Sequence, residues 1–133
     1  MHSRQVFQDE YFTVLVDDRT GIVRTIRSAT PYASLDVLEG LFARLGGILD
    51  GLGRSRYMLL ADIREAPGRN DPEFEAISER LRPLWIGGFP RVGVLVRTSV
   101  GLMQIQRHAR RDGLRRLISQ DEGELLRYLT GND

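Results

Sequence analysis

Polar residues follow the two most apolar short segments of the chain. Segments 57–61 and 91–96 are mostly continuous apolar runs, which is typical of parallel strands buried on both faces. Open α/β sheets usually bind ligands at the carboxyl ends of such strands. If the two strands are neighbours, one rim of the sheet carries Asp62, Arg64, Arg69, Asn70, Arg97, Thr98 and Ser99.

This rim is the best candidate for a binding site. Arginines beside the free amides of a helix start can bind an anion. The alternative is a purely structural role. In that case Asp62 pairs with Arg64, and Ser99 caps its helix. Asn70 and Asp71 then shape a turn.

An apolar group lies outside the regular elements, beside Gly87 and Gly88. It consists of Trp85, Ile86 and Phe89. One interpretation is that these residues pack in the core. The other is that they line the mouth of an apolar pocket or form a dimer contact, since exposed aromatic residues tend to mark interfaces.

Arginines are concentrated in segment 107–116. Arg107, Arg110 and Arg111 are spaced at i, i+3 and i+4, so they share one helix face. Such a face could bind phosphates, nucleic acid or an acidic partner. The net charge of +1 and the absence of interleaved aromatic residues favour a solvated face balanced by nearby carboxylates. We therefore predict no binding to nucleic acid.

The composition excludes several kinds of chemistry. Without cysteine the chain has no disulfide, thiolate metal site or cysteine nucleophile. All 19 basic residues are arginine, which excludes Schiff-base and lysine general-base mechanisms. His2 and His108 have no partner at the spacing of a metal site or a catalytic triad. We predict no catalytic set, no metal and no cofactor.

The elements that would position these residues alternate between strand and helix. Segments 11–16 and 22–26 flank a glycine-containing turn and predict a β-hairpin. The order ββαβαβαβα predicts an α/β fold whose mostly parallel sheet has four to five strands and an antiparallel first strand. We expect a single domain over residues 1–133, with 1–9 and 131–133 as loose tails.

Four helices are predicted from caps and apolar spacing. They begin at Thr30-Pro31, at Asp71-Pro72, near residue 100, and at a capping box formed by Ser119 and Glu122. Gly40, Gly46 and Gly47 lie inside the first helix, where they either let it approach the sheet closely or weaken its second half. Pro83 should end or kink the second helix.

Length and bulk composition are typical of one soluble globular domain. The chain has 133 residues, of which 41% are hydrophobic and 28% charged. No apolar run approaches the roughly 18 residues of a membrane span, and the amino terminus lacks the apolar middle of a secretory signal. We expect a cytoplasmic protein without stable membrane insertion.

Three stretches resemble the SpoIIAA-like group of the STAS superfamily, which includes bacterial STAS/SEC14-like single-domain proteins. They are the strand and acidic residue at 59–62, the strand at 92–96 and the tail at 118–129. The resemblance implies a mostly non-catalytic module that binds protein partners, and in some members nucleotides or lipids. Some members are phosphorylated on a hydroxyl residue just after the central strand. Asp62 matches the acidic position there, but Ile63, Arg64 and Glu65 follow it, so the phospho-switch is not transferred.

We therefore predict a non-enzymatic binding or regulatory module that acts through protein–protein interaction, with another protein or with its own copy as a homodimer. The alternative is a carrier for a small lipid-like or anionic ligand. Its apolar pocket would lie under the loop that begins at Trp85, with Arg64, Arg69 or Arg97 holding the anionic group. An enzyme is the third possibility. The carrier predicts a buried pocket of several hundred Å³, whereas the partner module predicts an exposed apolar patch.

Overall fold

One six-stranded sheet runs through the part of the chain that the computed structural model describes, residues 3–131. The strands lie in the sheet in chain order, which places each parallel strand beside the next. The first two pairings are antiparallel and the other three are parallel. The strands are β1 (Ser3–Gln8), β2 (Phe12–Asp17), β3 (Ile22–Arg27), β4 (Met58–Asp62), β5 (Val92–Leu95) and β6 (Leu117–Ser119).

Helices follow each of the last four strands. They are α1 (Leu35–Leu52), α2 (Pro72–Ile86), α3 (Ser99–Asp112) and α4 (Glu122–Thr130), with a short 3₁₀ turn at Arg54–Arg56 after α1. The larger apolar core joins α1, α2 and the inner side of α3 to one face of the sheet. A smaller core joins α4 to the other face, where Leu125 and Leu129 pack on Leu60 and Leu95.

The predicted α/β fold with a mostly parallel sheet and helices packed on it is confirmed. The amino-terminal residues differ from the prediction, because Ser3–Gln8 forms β1 where a loose tail was expected, so the sheet has six strands. β1 is an exposed edge strand of mostly polar residues, so no apolar alternation marks it in the sequence. Gly131 ends α4, and residues 132–133 of the second predicted tail lie outside the described residues.

The first helix begins later than its sequence predicts. Ser34, not Thr30, is the N-cap of α1, and its Oγ accepts from the Val37 amide at 3.1 Å. The residues just before it form no helix, and Tyr32 packs against Tyr11, with the two ring centroids 5.2 Å apart.

Pro83 neither ends nor interrupts α2, which continues to Ile86. The carbonyls of the last turn receive hydrogen bonds from Arg54, which compensates for a proline-weakened helix end. The start of α4 also differs, because Asp121 is its N-cap and Ser119 instead ends β6. None of the helices within residues 3–131 combines the length and the apolar character that a membrane span requires.

Gly46 brings α1 close to α2 rather than to the sheet. A Cβ atom at this position would lie 3.1 Å from the Leu84 carbonyl oxygen, whereas one at Gly47 would meet nothing within 4 Å. We expect Gly46→Ala to destabilise the fold by about 1 kcal/mol, because the helices must move apart. Gly47→Ala should stabilise it by about 0.5–1 kcal/mol through helix propensity. Urea denaturation of both variants tests this, and equal stabilisation by both would contradict it.

Candidate functional site

The predicted rim exists as a place in the fold, because β4 and β5 are neighbouring parallel strands in which Asp62 pairs with Leu95. The Asp62 side chain, however, points to the α4 face. There it lies 2.8 Å from Arg64 Nη2 and 3.8 Å from Arg24 Nη1. Glu122 of α4 completes this group, with 2.9 Å between its Oε2 and Arg24 Nη2.

The Asp62 carboxylate is held in its charged form. Burial by itself favours the neutral acid, but hydrogen bonds from the Arg64 side chain and amide, together with the charge of Arg24, outweigh it. The pKa of Asp62 therefore lies below its usual value. This is the local pairing that the structural alternative describes.

Three other residues of the rim also have local roles: two arginines pair with nearby carboxylates, and a threonine caps a helix. Arg69 pairs with Asp71 at 2.5 Å, and Arg97 pairs with Glu65. Thr98, not Ser99, caps α3, and its Oγ1 accepts from the Gly101 amide at 3.0 Å.

Ser99 is the exposed first residue of α3, and Asn70 is exposed in the loop before α2. Neither lines the cavity that the sheet encloses with helices α1, α2 and α3, and Asp62 does not either. The rim therefore separates into residues that reach this cavity and residues that do not.

A cavity of about 410 Å³ lies between the sheet and the three helices α1, α2 and α3. Its wall contains buried residues such as Phe12, Phe42 and Val96, which form the floor. Exposed residues of the β4–α2 loop and of the start of α3 form the mouth, and these are Arg64, Pro67, Gly68, Arg69, Arg97, Thr98 and Val100. Four of the seven predicted rim residues thus meet at one opening.

Trp85 lies in the wall of this cavity. Its ring packs edge-on against Phe12 and Phe42, with centroids 5.4 and 5.9 Å away, and its Nε1 donates to Thr25 Oγ1 at 2.9 Å. Ile86 is buried in the core, and Phe89 packs beside Arg54, so neither lines the cavity. Of this apolar group, Trp85 alone contributes to the wall.

Arg27 on the cavity floor was missed by the sequence analysis. The side chain is 5% exposed although it carries a positive charge. Its Nε donates to Tyr32 Oη at 3.0 Å, and its Nη1 donates to the Ser28 carbonyl at 2.6 Å. The sequence does contain a signal for the burial of Arg27: Val23, Thr25 and Arg27 alternate along β3 and so share its buried face.

His108 of α3 and Glu75 of α2 meet in the cavity wall, with 3.6 Å between Nε2 and Oε1. Burial, followed by the charge of Arg82, holds the pKa of His108 below its usual value. The imidazole is therefore neutral at pH 7, and its buried Nε2 has no hydrogen-bond partner within residues 3–131. It can hydrogen-bond to a polar group of a ligand.

A cluster of buried charges fixes the far end of α3. Asp112 Oδ2 accepts from Arg82 Nη1 of α2 at 2.8 Å, and Arg116 binds both carboxylate oxygens at 3.0 and 3.1 Å. Burial works against the charged carboxylate, but Arg116, the Leu114 amide and Arg82 outweigh it and lower the pKa of Asp112. The cluster ties α2, α3 and the approach to β6 together.

Two arginines of the predicted basic segment pair with acidic residues of α2. Arg107 lies 3.3 Å from Glu75, and Arg111 lies 3.1 Å from Glu79. These pairs sit beside the cavity and link α3 to α2.

The described residues 3–131 contain no group of three or more His, Asp or Glu side chains that could hold a metal ion, and His2 lies outside them.

Comparisons of the chain with protein-family models, with curated proteins and with solved structures found no match. The residues and the geometry of the cavity are therefore the basis for inferring a function.

Proposed function

We propose that this domain binds a small, largely apolar molecule in the cavity between the sheet and helices α1 to α3. The cavity volume of about 410 Å³ carries the proposal. It falls within the range of about 300–1,000 Å³ that is usual for small-molecule sites. The wall combines aromatic and aliphatic side chains, which can hold an apolar body, with polar and charged groups, which can orient a ligand.

The position of the cavity supports the same function. It opens at the carboxyl ends of β4 and β5, where α/β sheets usually bind ligands.

The STAS-like relationship remains a proposal, supported by the order of strands and helices from β3 to α4. We also propose a cytoplasmic location.

Ligand binding is tested first by native mass spectrometry of the freshly purified protein, which would reveal a co-purified ligand. Binding of N-phenyl-1-naphthylamine, a neutral dye that fluoresces in apolar surroundings, is then titrated. Trp85 provides a second signal, because it is the single tryptophan and lies in the cavity wall. We expect the dye to bind and to change the Trp85 emission.

A pair of variants on α2 tests whether the dye binds in this cavity. Ser78 lines the wall, whereas Ala76 on the same helix is exposed. We expect Ser78→Phe to weaken dye binding at least about tenfold by filling the cavity, and Ala76→Phe to leave it unchanged. Equal affinities of both variants and the parent would refute cavity binding.

Binding to another protein remains the second candidate, with a second copy of this chain as the partner. Val100 and Met103, one turn apart on α3, are 75% and 68% exposed. Exposed apolar side chains of this kind favour a contact surface. Sedimentation equilibrium tests it: self-association of the parent chain that Met103→Ser abolishes would support it, and a monomer at all concentrations would exclude it.

A further inference from the structure

The charge on the cavity floor is unbalanced. Among the described residues 3–131, no carboxylate forms an ion pair with Arg27, although the residue is almost completely buried. The other arginines of the wall each have such a partner: Arg64 pairs with Asp62, Arg69 with Asp71, Arg82 with Asp112 and Arg97 with Glu65. A buried charge without a counter-ion is costly, so Arg27 is the wall residue at which an anion would gain most.

Aromatic rings lie beside the Arg27 guanidinium. The Arg27 guanidinium carbon lies 4.2 Å from the centroid of the Tyr32 ring and 5.7 Å from that of Tyr11. Such contacts partly stabilise a cation without neutralising it. The Arg27 guanidinium also has an unused hydrogen-bond donor, because its Nη2 makes no hydrogen bond with any described residue.

Tyr32 supplies a second donor beside the first. Its oxygen accepts from Arg27 Nε, but no residue in the described part of the chain accepts the hydroxyl hydrogen. Burial raises the pKa of Tyr32, so the phenol remains protonated at neutral pH and can donate. Arg27 and Tyr32 both line the cavity and together offer two donors and one positive charge.

We infer that the ligand of this cavity is an amphipathic monocarboxylate whose carboxylate binds Arg27 and Tyr32 and whose apolar body packs against Phe12, Phe42 and Trp85. The inference rests on the proposed function and names the chemical class of the ligand. One unbalanced positive charge matches one negative charge, and a carboxylate can accept from Arg27 Nη2 and Tyr32 Oη together. This position of the anionic group on the cavity floor differs from the sequence prediction, which placed it on the arginines of the mouth.

The test compares two competitors with the same alkyl chain, decanoate and decanol, for displacement of N-phenyl-1-naphthylamine. We expect the parent protein to bind decanoate at least about tenfold more tightly than decanol. The preference should persist in about 0.5 M NaCl, because a buried cation is screened less than the surface arginines. Binding of the dye with no preference for decanoate would refute the inference and leave the proposed function intact. Absence of all binding would refute both.

Three variants locate the anion. We expect Arg27→Met to abolish the preference for decanoate over decanol, with the affinities of both competitors measured in the variant itself. Tyr32→Phe should reduce the preference several-fold, and it supplies the test if Arg27→Met does not fold. Arg110→Met is the control, since it removes one positive charge from the exposed side of α3, away from the cavity wall. A tenfold preference that survives Arg27→Met in the folded protein, or Tyr32→Phe if only that variant folds, would overturn the assignment.

Discussion

Replacing Asp112 by asparagine is expected to lower the free energy of unfolding by about 3–5 kcal/mol. The Asp112 and Arg116 side chains are only 5% and 2% exposed, so removing the carboxylate charge leaves the Arg116 guanidinium buried without a counter-ion. Arg82, 13% exposed, loses the same partner. Thermal and urea unfolding of the purified variant measure the loss.

Glu39→Gln is the matched control for Asp112→Asn. Glu39 pairs with Arg80 between α1 and α2, but the two side chains are 41% and 60% exposed. Exposed ion pairs contribute about 0–1 kcal/mol, so this variant should unfold almost like the parent. A loss below about 1 kcal/mol in Asp112→Asn as well would show that the buried cluster contributes no more than a surface pair.

The pH dependence gives a second signature of Asp112. Its pKa is lowered in the folded protein, so its contribution is fully present above the unfolded value of about 3.9 and is lost as the pH falls through the folded value. The stability difference between the parent and Asp112→Asn should therefore be largest near neutral pH and shrink below about pH 4. A difference that stays constant down to pH 2 would contradict the proposed role of the charge.

Arg54→Met is expected to destabilise the protein by about 2–4 kcal/mol. The Arg54 side chain is 11% exposed and lies between the ends of α1 and α2. It donates to the Trp85 carbonyl at 3.0 Å, to the Gly87 carbonyl at 2.7 Å, and to the Leu84 carbonyl. Methionine retains apolar contacts but leaves these helix-end carbonyls without a donor. Thermal unfolding, followed by Trp85 fluorescence, measures the effect.

Two neighbouring substitutions show whether the geometry of Arg54 matters. Arg56→Met, in the same 3₁₀ turn, removes an exposed arginine with a single backbone acceptor, Leu52 at 3.2 Å, and should cost less than about 1 kcal/mol. Arg54→Lys should restore little of the stability, because an ammonium group cannot reach several separated carbonyls as the guanidinium fork does. Full rescue by lysine would indicate that charge alone is sufficient.

The order of the elements could be predicted from local patterns. Continuous apolar runs marked β4 and β5, apolar residues at helical spacing marked the buried face of α1, and Asp71 with Pro72 marked the start of α2. Each of these signals lies within a single window of about 11–18 residues of sequence and follows directly from helix or strand periodicity or from a helix cap. The same reasoning predicted that Arg64, Arg69, Arg97 and Thr98 share one rim of the sheet, and in the structure these four residues line the cavity mouth.

Only the tertiary structure decided which polar residues have a partner. Alternation along β3 places Arg27 on the buried face, but its lack of an ion pair within residues 3–131 depends on Tyr32 and on the side chains that α1 and α2 bring over the sheet. The Arg82 pair with Asp112 likewise joins residues 30 apart in the chain. Sequence periodicity specifies the direction of a side chain, whereas counter-ions, depth and cavity volume depend on distant segments packing together, and these decide what the site can bind.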